Sequence, residues 1–149
     1  MPKFATIVFS TVLALLPALL PYHAAQAQSA GTDLVGKAKV VLQVSDDDPK
    51  KWGLALNNAK NIQNELGEKN VSIEIVAFGP GIGMFKSDSE IATRVREAKA
   101  DGIALAACEN TMAAQHLKKS DMNAAVGYVP SGAVEIIKKQ KAGYAYLRP

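Results

Sequence analysis

Short apolar segments alternate with segments of helical periodicity over most of the chain. Five apolar runs have the length of β-strands, at residues 40–44, 71–78, 103–108, 124–129 and 144–147. The segments between them carry helix signals, such as Asp48 before Pro49 and apolar residues at spacings of three and four. These signals predict helices at residues 49–66, 87–101, 111–117 and 131–140.

The alternation of strands and helices, without two-residue hairpin turns, favours a parallel sheet covered by helices on both faces. We therefore predict a three-layer α/β/α fold with a mainly parallel five-stranded sheet in the flavodoxin-like order 2-1-3-4-5. In such a sheet the carboxyl ends of the strands meet at one edge, where ligands bind. That edge is predicted to contain residues 46–48, 79–83, 108–111 and 130–131.

The first 27 residues have the pattern of a secretory signal peptide. Lys3 precedes an apolar run at residues 4–20, and Ala25-Gln26-Ala27 supplies the small-x-small pattern for cleavage after Ala27. A retained membrane anchor is the alternative, but the run is short and is interrupted by Pro17. We predict a periplasmic protein without stable membrane insertion after cleavage. Its parts are a signal peptide at 1–27, a flexible leader at 28–38 and a single domain at 39–149.

The charge balance argues against a nucleic acid partner. The chain carries a net charge of +3, and removal of Lys3 with the signal peptide leaves 16 basic and 14 acidic residues. The basic residues are spread over several predicted helices and do not alternate with aromatic residues in one groove.

Several common chemistries lack the residues that they need. His116 is the only histidine after cleavage, so one chain cannot build a multi-histidine metal site, and we predict no metal and no cofactor. The acidic residues 46–48 would repel a phosphate, and the loop at 79–83 lacks the lysine and hydroxyl of a P-loop. The apolar neighbours of this loop, Ile82, Met84 and Phe85, suit a pocket wall or a subunit contact.

Cys108, the only cysteine, stands where the third strand gives way to a helix. A thiol at a helix N-terminus meets free N–H groups, which favour the thiolate. We expect Asn110 to be the N-cap residue and Thr111 to add a hydroxyl nearby, whereas Glu109 would oppose ionisation if its carboxylate pointed inward. The alternative is a structural cysteine that packs as a small apolar residue.

Four stretches of the chain resemble the small single-domain branch of the DsrE/DsrF-like family. They are residues 76–81, 107–112, 129–137 and 143–149, and the likeness extends over essentially all of the mature chain. The resemblance implies a three-layer α/β/α fold, assembly as trimers or hexamers, and sulfur transfer as a cysteine persulfide. Cys108 occupies the cysteine of the branch's Cys-x-Asn-Thr motif, although the residue after that cysteine is often glycine in the branch and is Glu109 here.

Two functions of different classes follow, and a thiol redox sensor is a third alternative. The first is a periplasmic sulfur carrier or sulfurtransferase-like protein that holds sulfane sulfur on Cys108 as a persulfide and exchanges it with a periplasmic donor or acceptor protein. The second is a non-catalytic oligomeric module that binds a small ligand or a partner and has a structural cysteine. The residues expected to shape the pocket around Cys108 are Gly79, Pro80, Gly81, Glu109, Asn110, Thr111, Pro130 and Ser131.

Overall fold

The computed structural model describes residues 36–149. The predicted signal peptide, 1–27, and most of the predicted leader lie outside the described residues. Within residues 36–149 no helix combines the length and the apolar character needed to cross a membrane.

Strands and helices alternate along the described chain as the apolar pattern predicts. The strands are β1 (Ala38–Val44), β2 (Val71–Ala77), β3 (Ala104–Cys108), β4 (Gly127–Val129) and β5 (Ala145–Leu147). The α-helices are α1 (Pro49–Leu66), α2 (Ala92–Ala100), α3 (Glu109–Ala114) and α4 (Gly132–Lys141). Short 3-10 helices cover Glu68–Asn70, Gly79–Phe85 and Lys119–Asp121. The first α-helix begins as predicted, because the Asp48 carboxylate accepts the backbone N–H of Lys50 at 2.9 Å and Pro49 takes the first helical position.

All five strands form one parallel sheet, which confirms the predicted fold class. The strand order is 4-3-2-1-5, so the predicted order 2-1-3-4-5 is wrong. Both orders keep parallel neighbours and right-handed crossovers, and the alternation of elements does not determine the direction in which each crossover steps. In the observed order, β1 lies between β2 and β5. The strands β1, β2, β3 and β4 follow one another across the sheet in a single direction.

This order distributes the helices unevenly over the two faces of the sheet. The larger core lies under α1, α2 and α3 and contains fully buried residues such as Leu42 and Ile75. On the opposite face Ile136 of α4 packs on a small cluster made by Val41, Val76 and Ala106. Successive right-handed crossovers in one direction put their helices on one face, and the return from β4 to β5 puts α4 on the other.

The segment after β2, predicted as a loop, forms a short helix. Residues Gly79–Phe85 form a 3-10 helix, and Ile82, Met84 and Phe85 are at most 1% exposed. These three side chains are therefore part of the larger core, and the expectation that they form a pocket wall or subunit contact is wrong for the described chain. Gly81 permits this packing, since a Cβ there would lie 2.4 Å from the carbonyl oxygen of Val44.

Candidate functional site

Cys108 is both the last residue of β3 and the N-cap residue of α3. Its Sγ accepts the backbone N–H of Thr111 at 3.4 Å, the bond that an N-cap oxygen usually makes. The helix therefore begins at Glu109, two residues earlier than predicted, and Asn110 lies inside it. The prediction of Asn110 as N-cap was wrong because the sulfur itself caps the helix.

The segment after β4 closes the site from the side of α4. The Cys108 thiol faces the carbonyl oxygen of Pro130 at 4.0 Å, and the same oxygen accepts the N–H of Asn110 at 3.1 Å. Because β3 and β4 are parallel neighbours with Cys108 paired to Val129, both strands end beside the thiol. Cys108 is only 4% exposed in this setting.

Burial and hydrogen bonding act on the Cys108 thiol in opposite directions. Burial raises the pKa of the Cys108 thiol, because a thiolate is less well solvated there. The Thr111 hydroxyl and the backbone N–H groups of Gly132, Thr111 and Asn110 lower it, and together they hold the pKa of Cys108 below its ordinary value. The site therefore favours a sulfur that carries negative charge.

The carboxylate of Glu109 does not take part in this balance. It pairs with Lys119 at 3.2 Å, and its side chain is 42% exposed. The same ammonium lies over the ring of Tyr128, 4.5 Å from the ring centre. The predicted opposition of Glu109 to thiolate formation depended on an inward carboxylate, and the structure has it directed to Lys119.

The structure joins Gly79 to the Cys108 site, while Pro80 and Gly81 have other neighbours. The Gly79 N–H donates to the Thr111 hydroxyl oxygen at 2.9 Å. Pro80 borders a separate polar depression of about 460 Å³ that also includes Asp47 and Trp52. Gly81 packs against the end of β1 instead.

Ser131 lies at the start of α4, next to the site. It is the N-cap residue of α4, but its hydroxyl makes no capping hydrogen bond. Its carbonyl oxygen accepts the N–H of Glu135 at 2.9 Å, which begins the helix.

Three residues of this region were not predicted as site residues from the sequence: Gly132, Phe78 and Gln115. The backbone N–H of Gly132, in the first turn of α4, is one of the groups that lower the pKa of the Cys108 thiol. The Gly132 backbone lies against Phe78, since a Cβ on Gly132 would stand 2.8 Å from Cδ1 of that ring. Gln115 donates from Nε2 to the carbonyl oxygen of Gly79 at 3.2 Å. A glycine directly after Pro130-Ser131 was the only signal that could have pointed to the first of these.

Among the described residues, the Cys108 thiol is a reactive group surrounded by hydrogen-bond donors. No set of three or more His, Cys, Asp or Glu side chains within residues 36–149 is placed to hold a metal ion. The arrangement at Cys108 can hold a thiolate, or a persulfide anion that extends from it, through hydroxyl and backbone N–H donors.

Comparison with known proteins identifies a family for this chain. Residues 38–149 match the DsrE/DsrF-like family. A structure of a protein of unknown function from Methanobacterium thermoautotrophicum is 33% identical, covers 76% of this chain and 100% of its own, and superposes with a TM-score of 0.73.

Two more distant structures share the fold. A conserved protein of unknown function from Bacteroides thetaiotaomicron is 18% identical, with coverage of 74% and 94% and a TM-score of 0.62. The ychN protein from E. coli is 11% identical, with coverage of 76% and 99% and a TM-score of 0.61. No curated protein matches the chain. With the family match over most of its length, and a 33% identical structure beside it, the chain belongs to the DsrE/DsrF-like family.

Proposed function

We propose that this protein is a sulfur carrier in which Cys108 holds a sulfane sulfur as a persulfide. Membership in the DsrE/DsrF-like family implies a function of the sulfur-relay type. The observation that carries the proposal is the capping thiol, whose Sγ accepts the Thr111 N–H at 3.4 Å and whose pKa the surrounding donors lower. A thiolate is the form of cysteine that attacks sulfur.

The chemistry needs a small anionic donor with a sulfane sulfur, such as thiosulfate or polysulfide. The Cys108 thiolate attacks the outer sulfur of thiosulfate and forms a new S–S bond. The donor's own S–S bond breaks with its electron pair on the departing sulfite, and Cys108 becomes a persulfide anion. An acceptor thiolate later attacks the outer sulfur, and Cys108 leaves as a thiolate with the electron pair of the broken bond.

Export and self-association complete the proposal. The signal peptide at 1–27 would direct the carrier to the periplasm, so that its donor and acceptor proteins are periplasmic. Assembly as a trimer or hexamer is supported by the apolar side chains of Val134 and Ile137 on α4, which are 46% and 52% exposed. Light scattering of the purified mature chain, with Ile137→Lys as the disruptive variant, tests the assembly.

A non-catalytic binding module with a structural cysteine is the second candidate. The observation that favours it is the burial of Cys108, which is only 4% exposed. A small apolar residue could occupy that position with similar packing.

Mass spectrometry of the folded protein separates the two functions. After exposure to polysulfide or thiosulfate, the carrier gains about 32 Da, the mass of one sulfur, and the gain is absent in Cys108→Ala. The gain is reversed when a small thiol takes up the sulfur. No gain, together with a Cys108 that resists alkylation until the protein is unfolded, would contradict the carrier and support the binding module.

A further inference from the structure

The hydroxyl oxygen of Thr111 already accepts one hydrogen bond from the backbone. It accepts the N–H of Gly79 at 2.9 Å. A hydroxyl has a single proton, and the accepted N–H restricts the directions in which that proton can point. Within residues 36–149 no oxygen acceptor is hydrogen-bonded to this proton, although a helical threonine often donates to a carbonyl one turn earlier. Among the described residues the proton thus has no oxygen acceptor.

The sulfur of Cys108 is the candidate acceptor, because another group of Thr111 already contacts it. Thr111 stands three residues after Cys108, and its own N–H already reaches Sγ at 3.4 Å. The hydroxyl belongs to the residue whose N–H contacts this sulfur, and the Thr111 side chain helps to lower the pKa of Cys108. One residue thus presents two donors to the sulfur, one from its backbone and one from its side chain.

Gly79 is held from two directions by side chains of the α3 segment. Thr111 accepts its N–H, and Gln115, one helical turn later, donates to its carbonyl oxygen at 3.2 Å. Gly79 has a φ of +55°, a left-handed conformation that glycine adopts without strain and that sets the directions of both backbone groups. Gln115 is exposed, and its hydrogen bond to Gly79 connects it to the sulfur through Gly79 and Thr111.

We propose that Thr111 donates its hydroxyl hydrogen to the Cys108 sulfur during sulfur transfer, and that Gln115 is a positioning residue that holds Gly79 in place. This role rests on the proposed carrier function. In uptake the hydroxyl stabilises the attacking thiolate, and in delivery it stabilises the thiolate that departs when the acceptor takes the outer sulfur. Thr111 keeps its proton in both steps, so no further reactant is needed.

The acidic residues next to the thiol in sequence and in the first turn of α4 have partners of their own. Glu109 pairs with Lys119 at 3.2 Å, and Glu135 of α4 pairs with Lys139 at 3.6 Å. Hydrogen bonds from neutral donors are therefore the interactions that oppose the effect of burial at Cys108.

Two measurements on matched variants test this role. The first is the pH profile of alkylation of folded protein by iodoacetamide, which reports the pKa of Cys108 without any sulfur chemistry. The second is the rate at which the persulfide form gives its sulfur to a small thiol. Thr111→Val keeps the shape of the side chain but removes the hydroxyl, whereas Thr111→Ser retains the hydroxyl.

We expect Thr111→Val to move the alkylation profile to higher pH and to slow delivery about tenfold, the effect of losing one hydrogen bond to a charged group. Thr111→Ser should stay within about threefold of the wild type. Gln115→Met should shift both readouts in the same direction as Thr111→Val, by a smaller factor. Because Gln115 is exposed, that variant keeps its fold and carries the test even if Thr111→Val is unstable.

The outcomes distinguish this role from the carrier function itself. If the wild type takes up no sulfur, the carrier function fails and this role fails with it. If the wild type takes up sulfur and folded Thr111→Val or Gln115→Met matches it in both profile and delivery rate, only the role of that residue is overturned. A loss of thermal stability with an unchanged profile would mean that the residue is merely structural.

Discussion

The carboxylate of Glu109 pairs with Lys119 at 3.2 Å, although Glu109 directly follows the capping thiol of Cys108. The two residues come from α3 and from the 3-10 helix that follows it, and the lysine also lies over Tyr128. An acidic residue beside the cysteine is therefore compatible with a thiolate, because its charge is balanced and faces solvent.

Removal of this carboxylate should change the reactivity of Cys108 only slightly. We expect Glu109→Gln to alter the rate of iodoacetamide alkylation at pH 7 by less than about twofold, since an exposed and paired charge is strongly screened. Lys119→Met serves as the matched control for the other partner. A tenfold acceleration in Glu109→Gln would mean that the carboxylate acts on the sulfur directly.

The ionised thiol should also make stability depend on pH. The pKa of Cys108 is lowered in the folded protein by donors that outweigh the effect of burial, so the unfolded chain holds the proton to higher pH. Ionisation of Cys108 therefore stabilises the folded state. This stabilisation is fully present above the ordinary thiol pKa of about 8.5 and is lost as pH falls through the lower pKa of the folded protein. Urea unfolding of the wild type and of Cys108→Ser, from about pH 5 to about pH 9, measures this contribution to the free energy of unfolding.

The serine variant isolates this contribution because its hydroxyl does not titrate in that range and can still cap α3. The stability difference between wild type and Cys108→Ser should shift in favour of the wild type as the pH rises. A difference that stays constant, or moves the other way, would show that the folded thiol does not ionise more readily than the unfolded one.

The sequence was sufficient for the layers of this fold and for the position of the thiol. Alternation of apolar runs with helical periodicity predicted five strands, and the parallel sheet brings the ends of β2, β3 and β4 to one edge. Cys108 lies at that edge because an apolar strand ends there in sequence. The strand order was not predictable, since each right-handed crossover can step in either direction across a growing sheet.

Rules based on local sequence also failed to predict some features that depend on tertiary contacts. Asn110 is a preferred N-cap residue, yet the sulfur of Cys108 accepts the capping N–H. The glycines after β2 predicted a loop, whereas close approach of Gly81 to the backbone of Val44 accompanies a packed 3-10 helix. The contact of Gln115 with this region could not be recognised because its hydrogen bond goes to a residue 36 positions earlier in the chain.

Gly132 should be sensitive to the smallest side chain. A Cβ there would lie 2.8 Å from Cδ1 of Phe78 and 2.9 Å from its Cβ, so Gly132→Ala must displace the start of α4 or the ring. We expect a loss of about 1–3 kcal/mol in unfolding free energy, as for overpacking of a core, and slower alkylation of Cys108 at pH 7 because its N–H donor moves away.

A second substitution shows whether the ring is the cause. Phe78→Leu combined with Gly132→Ala should recover part of both losses, since the smaller side chain leaves room for the new methyl group. Ala133→Ser, at the exposed next position of α4, is the control and should leave alkylation unchanged. An equal effect of Gly132→Ala with and without Phe78→Leu would contradict steric displacement by the ring.

Lys139 should be the most sensitive charged residue of α4. Its ammonium pairs with Glu74 of β2 and lies near Glu135 and over the ring of Tyr144, on the sheet face that α4 covers. The side chain of Glu74 is 8% exposed, so Lys139→Met would leave a carboxylate buried without its partner. We expect a loss of about 3–5 kcal/mol in urea unfolding, the usual cost of breaking a buried pair.

The matched variants separate charge from packing at this position. Lys138→Met, at the exposed neighbouring position, should change stability by less than about 0.5 kcal/mol. The double variant Glu74→Gln with Lys139→Met should be more stable than Lys139→Met alone, because no charge is then buried without a partner. If the double variant is as unstable as the single one, the loss comes from the packing of the lysine chain against Tyr144 rather than from the carboxylate of Glu74.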